Sequence, residues 1–113
     1  MSLNTNELHR YLDRVGDRWP VQRAILGGAR VADERGAPPQ RERGPEYVMI
    51  LVSDAFDGVP WLERVHHAGA LWDALEMGAA AEVHCYTSAE FERKRASLQA
   101  VRDAVEQGLD LLA

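Results

Sequence analysis

Glu82 and His84 stand two residues apart in the run Ala81-Glu82-Val83-His84-Cys85-Tyr86, where apolar and polar residues alternate. Alternate side chains of a strand share a face. Glu82, His84 and Tyr86 therefore point one way, and Ala81, Val83 and Cys85 the other. An imidazole beside a carboxylate suits a transition metal; a partly exposed strand histidine is the plainer reading. Glu46 is the one acid between Gly44 and Ser53, and it sits where a strand begins after Gly44-Pro45. The turn Gly27-Gly28-Ala29-Arg30 follows a short apolar run, and Gly28 reads first as the residue that permits a tight turn.

Other chemistry-bearing residues have bland readings. His66 and His67 are adjacent in a helical pattern, so they point apart and form no chelating pair. Glu90 and Glu92 are the only acids two apart in the chain, and they also fall in a helical pattern. Asp54 and Asp57 read as turn and cap residues. Cys85 reads as buried and inert. Trp61 and Trp72 read as core, and Arg93-Lys94-Arg95 as a solvated helix end.

The elements that must position these groups follow from periodicity. Leu8, Leu12, Val15 and Trp19 mark one face of a helix, capped near Asn4, Thr5 or Asn6 and ended by Pro20. Val21 to Leu26 reads as a short strand before Gly27-Gly28. Ala29 to Pro45 has almost nothing apolar to bury and reads as a mobile loop, 29–45. Tyr47-Val48-Met49-Ile50-Leu51-Val52 is apolar throughout and reads as a central strand covered on both faces. Pro60 opens a helix whose face is Trp61, Val65, Ala68, Trp72 and Leu75, closed by Gly78. Ala81 to Tyr86 is the next strand. Thr87-Ser88-Ala89-Glu90 has the spacing of a capping box. Ser97 opens a second helix with Leu98, Val101 and Val105 buried, and Gly108 closes it. Leu109 to Leu112 reads as a final edge strand. The order is α-β-β-α-β-α-α-β, a small α/β domain spanning 1–113.

The 113 residues fit one domain. No apolar run is long enough to cross a bilayer, and Met1 to Arg10 lacks the pattern of a signal peptide. One cysteine excludes an intrachain disulfide and any multi-cysteine zinc site, and points to a reducing cytoplasm. A net charge of −5 argues against general nucleic-acid binding.

Three segments together resemble the minimal nucleotidyltransferase family. Ala24-Ile25-Leu26-Gly27-Gly28-Ala29-Arg30 is similar to its strand and Gly-Ser turn. Leu51 to Arg64 is similar to its second strand, turn and helix start. Glu82 to Glu92 is similar to its third strand and following helix. The resemblance implies a nucleotidyltransferase-like fold with a small mixed sheet of about four strands. It implies that Gly28, Ala29 and Arg30 hold the nucleotide. It also implies that acids on neighbouring strands bind Mg²⁺ or Mn²⁺ with ATP or another nucleoside triphosphate. Carried over, those acids are Glu46 and Glu82, with His84 a further metal ligand in a rebuilt site. The sequence departs from the family where Val48 occupies the second position of the acid-x-acid pair and Ala29 replaces serine. Valine offers a hard cation no oxygen. The expectation is therefore an impaired relative that acts through association, with itself or with a helical protein partner, as antitoxin-type members do. An active transferase acting on a hydroxyl and a nucleotide sensor without turnover are the alternatives. Small size, three tryptophans and the terminal edge strand favour a homo-oligomer.

Overall fold

In this computed structural model the described residues are 3–36 and 43–112. Asn4 starts helix α1, Thr5–Gly16, by accepting the backbone N–H of Glu7 on its side chain. That contact satisfies one of the orphan donors of a first helical turn. Leu8, Tyr11, Leu12 and Val15 are its buried apolar face. The helix stops at Gly16, ahead of Pro20, so the proline does not end it. Trp19 nevertheless packs in the core, edge-on to Phe56.

The remaining elements are β1 (Arg23–Gly27), α2 (Ala29–Glu34), β2 (Tyr47–Val52), α3 (Trp61–Ala70), α4 (Ala74–Met77), β3 (Ala81–Tyr86), α5 (Ser88–Ser97), α6 (Gln99–Gln107) and β4 (Leu109–Asp110). A short 3₁₀ turn, Asp54–Phe56, follows β2. The four strands form one mixed sheet in the order β3-β2-β1-β4. β1 runs antiparallel to β2 and β4, while β2 and β3 are parallel. A parallel pair needs a long crossover, here supplied by α3 and α4. The fold is thus mixed α/β, with helices on both faces of a four-stranded sheet.

All six residues of β2 are buried, as a continuous apolar run requires of a central strand. Tyr47, Met49 and Leu51 join one apolar cluster with α1, Trp19, Phe56, Ala68 and Cys85. Val48, Ile50 and Val52 join a second with Tyr86, Phe91, Val101 and Ala104, under α5 and α6. Complete burial of one aliphatic or aromatic side chain stabilises a fold by about 1.5–3 kcal/mol, so β2 anchors both layers.

Four expectations are corrected. Ala29 to Glu34 is a helix, and its one long aliphatic side chain, Val31, is 1 % exposed. Arg43 at the far end of that segment pairs with Asp33 and Glu46, and 37–42 lies outside the described residues. The helix after Pro60 breaks at Leu71–Asp73 and restarts as α4, capped by Asp73. The break resets the helical phase and leaves Leu75 at the surface; Trp61, at the start of α3, is half-exposed rather than core. Finally, Ser97 ends α5 rather than capping α6, whose N-cap is Leu98, without a side-chain bond. Among the described residues no helix is long and apolar enough to cross a membrane.

The capping box forms as read. Thr87 accepts the Glu90 backbone N–H, and Glu90 accepts that of Thr87. Thr87→Ala is expected to destabilise the protein by about 1 kcal/mol, read from a urea midpoint shifted at constant slope.

Candidate functional site

Glu82, His84 and Tyr86 form a hydrogen-bonded row along β3. His84 Nε2 lies 2.8 Å from Glu82 Oε1, and His84 Nδ1 lies 2.8 Å from the Tyr86 hydroxyl. Burial pushes the Tyr86 hydroxyl up to about 12, with the charges of Cys85, Glu82 and Glu90 adding to the effect. It therefore stays protonated at neutral pH. The neutral tautomer that satisfies both contacts accepts from Tyr86 at Nδ1 and donates Nε2–H to Glu82. Trp61 stacks on the Tyr86 ring with centroids 5.3 Å apart, so the far end of the row is held by an aromatic contact. Tyr86 and His84 are buried, whereas the Glu82 side chain is 50 % exposed.

The strand registers bring three candidate positions side by side. Gly27 pairs with Val48, and Val48 pairs with Glu82. These three residues floor a cavity of about 540 Å³ on the α5/α6 side of the sheet. One wall is α6, through Ala100, Asp103 and Ala104; the other is the start of α2 together with Arg43, Gly44 and Pro45. Gly27 keeps the floor open and α6 close, because a Cβ there would meet that of Ala104 at 3.0 Å.

Gly28 has φ +104°, and a Cβ on it would lie 2.6 Å from the Glu46 carbonyl oxygen and 2.7 Å from Tyr47 Cα. The glycine thus allows the turn into α2 to close against the start of β2. The backbone N–H of Ala29 donates to Pro45 O, and that of Arg30 donates to Glu46 O, at 2.9 and 3.0 Å. The Arg30 guanidinium donates to Glu46 Oε2 at 2.7 Å and to Gly78 O at 3.2 Å. The donors expected of a phosphate turn are therefore engaged within the chain.

Glu46 is held by two guanidiniums. Arg43 Nε donates to Oε1 at 2.8 Å, and Arg30 Nε donates to Oε2 at 2.7 Å. Arg43 first and Arg30 second hold its carboxyl down to about 2. Arg43 also pairs with Asp33 at 2.8 Å. Of the grouping Glu46, Glu82 and His84, the structure brings two members into contact. Glu82 and His84 meet, whereas Glu46 is neutralised by arginines, and among the described residues no three His, Cys, Asp or Glu side chains are placed to hold a metal. The residues present do not fit a two-metal centre: Val48 has no oxygen ligand, and both carboxylate oxygens of Glu46 are taken by Arg30 and Arg43.

Sequence reasoning missed Arg43 and Asp103. Arg43 lies three residues from Glu46, a spacing that signals a pair only on a helix. Asp103 lies on α6 off the apolar spacing of Leu98, Val101 and Val105, where the sequence carries no signal for it. No protein-family model, curated protein or solved structure matches this chain.

Proposed function

We propose that this chain is a nucleotidyltransferase-like domain that has lost metal-dependent nucleotidyl transfer and acts by associating with another protein chain. One observation carries the reading: the carboxylate at the first acid position, Glu46, is ion-paired to Arg30 and Arg43. A guanidinium pair in place of a divalent cation neutralises the acid without offering a coordination site for pyrophosphate. Val48 beside Glu82 supports the same reading. The engaged N–H groups of Ala29 and Arg30 weigh against the nucleotide-sensor alternative as well. Association draws support from large apolar side chains left at the surface, Leu62 at 76 % and Leu75 at 96 % exposure, and from the half-exposed Trp61.

Two measurements test the proposal. Pyrophosphate release from any nucleoside triphosphate, with Mg²⁺ or Mn²⁺, is expected to be absent. Turnover near about 1 s⁻¹, abolished by Glu82→Gln, would overturn it. Light scattering at micromolar concentration is expected to give a mass above that of one chain. A single-chain mass across a hundredfold dilution, together with failure to retain any protein from the native host, would overturn the associative part.

A further inference from the structure

The cavity over Gly27, Val48 and Glu82 is lined also by Gly28 and Ala29, so it lies over the positions that the transferase reading uses, but its lining has a chemistry of its own. Its volume, about 540 Å³, lies within the range of about 300–1,000 Å³ common for small-molecule sites. Val31, Ala32, Val48, Ala100 and Ala104 give the cavity an aliphatic lining beside its polar groups. Such a lining takes an apolar body.

The charges select the headgroup. Among the described residues three carboxylates line the cavity, Asp33, Glu82 and Asp103, against one cation, Arg43. Arg43 is already bound to Asp33 and Glu46. Asp103 receives only the Gln99 side-chain amide, on Oδ1, among the contacts of the described residues. Glu82 receives only His84, on Oε1. Two carboxylates therefore keep acceptor capacity, and among the described lining residues no cation is left to receive an anion.

Glu82 is also oriented from behind. The Tyr86 hydroxyl sets the His84 ring, and His84 Nε2 fixes one carboxylate oxygen. A carboxylate held in this way loses less side-chain freedom when a ligand arrives, and such preorganisation strengthens binding. The row thus gives the cavity a placed acceptor at its floor.

We propose that this cavity binds a small molecule carrying a primary ammonium on a compact apolar body, with the ammonium donating to Glu82 and the body lying over Val48 between α6 and the start of α2. Asp103 supplies a second, weaker attraction from the wall. His84 and Tyr86 are positioning residues and do not touch the ligand. The proposal does not depend on the family resemblance.

The test uses the full chain and three probes that share one body and differ in headgroup: phenethylamine, phenethyl alcohol and 3-phenylpropionate. Binding is followed by backbone amide shifts in heteronuclear NMR. Phenethylamine is expected to move Val48, Ala100 and Ala104 in a saturable way, with the alcohol weaker and the carboxylate silent. Glu82→Gln is expected to weaken the amine about tenfold, the loss of one charge-assisted hydrogen bond, and to leave the alcohol unchanged. His84→Gln is expected to weaken the amine less than Glu82→Gln does. If Glu82→Gln disturbs the sheet, Asp103→Asn provides the same reading from α6, with a loss of about threefold. Equal binding of all three probes, no shift at the cavity, or an amine affinity indifferent to both substitutions would overturn the proposal. None of those results bears on pyrophosphate release, so the two readings fail separately.

Discussion

Gly28→Ala is expected to destabilise the protein by about 2–6 kcal/mol, a large share of the about 5–15 kcal/mol that holds a small domain folded. Two costs combine. The residue has φ +104° and ψ 178°, a region occupied almost only by glycine, and strain there is of order 1–3 kcal/mol. The added Cβ would also lie 2.6 Å from Glu46 O and 2.7 Å from Tyr47 Cα, both of them backbone atoms. Overpacking against groups that cannot rotate away adds about 1–3 kcal/mol. Relief would require the turn to leave β2, which would break the Ala29 and Arg30 N–H bonds to Pro45 and Glu46. Gly16→Ala is the control. Nothing lies within 4 Å of a Cβ there, and the position closes α1, so stability should hold or rise slightly. Urea unfolding of both variants checks the contrast. A Gly28→Ala protein as stable as the parent would mean that the turn is not locked against β2.

The same turn shows where the sequence was readable. β2 and β3 are found at the residues read from the sequence, because an unbroken apolar run and a strict alternation each leave one strand register. The shared face of Glu82, His84 and Tyr86 followed directly from that alternation. α2 escaped because Ala29 to Glu34 contributes a single buried side chain, Val31, and a periodicity needs several. The break between α3 and α4 escaped because Trp72 and Leu75 continue the helical spacing across it; only the Asp73 cap marks the restart. The environment of Glu46 was the least legible. Its partners come from a helix sixteen residues earlier and from a connection three residues away. Local pattern says nothing about which face of that connection meets the carboxylate. The acid at the start of β2 was visible, but its neutralisation required the folded chain.

Arg64→Ala is expected to cost about 1.5–3 kcal/mol, the range for losing a charge-assisted hydrogen bond, here to a carboxylate that is partly exposed. The Arg64 side chain lies on α3 and is 6 % exposed overall. Its Nε donates to Val59 O at 2.8 Å, and one terminal nitrogen donates to Glu90 Oε1 at 2.7 Å and to Cys85 O at 3.3 Å. The guanidinium carbon lies 5.6 Å from the Phe56 ring centroid. Truncation would leave two carbonyls and a carboxylate short of donors and open a space beside Phe56. The pair also has a pH signature. Burial pushes the Glu90 carboxyl up, but the Thr87 backbone N–H and Arg64 outweigh it and hold the group below its ordinary value near 4.5. A carboxyl whose folded pKa lies below its unfolded one stabilises the fold above the unfolded value. That contribution is lost as pH falls through the folded value. Glu90→Gln lacks this term but keeps an oxygen that can accept from Thr87. The stability gap between parent and Glu90→Gln should therefore be widest near pH 6–7 and narrow steadily below about pH 4.5. Glu46 and Asp54 are shifted in the same direction, but both remain in the two proteins, so their acid sensitivity cancels in the difference. Urea midpoints measured across that range decide the matter. A gap that stays constant from pH 6 to pH 3 would mean that Glu90 contributes through shape and hydrogen bonding alone, and that the charge of Arg64 is matched elsewhere.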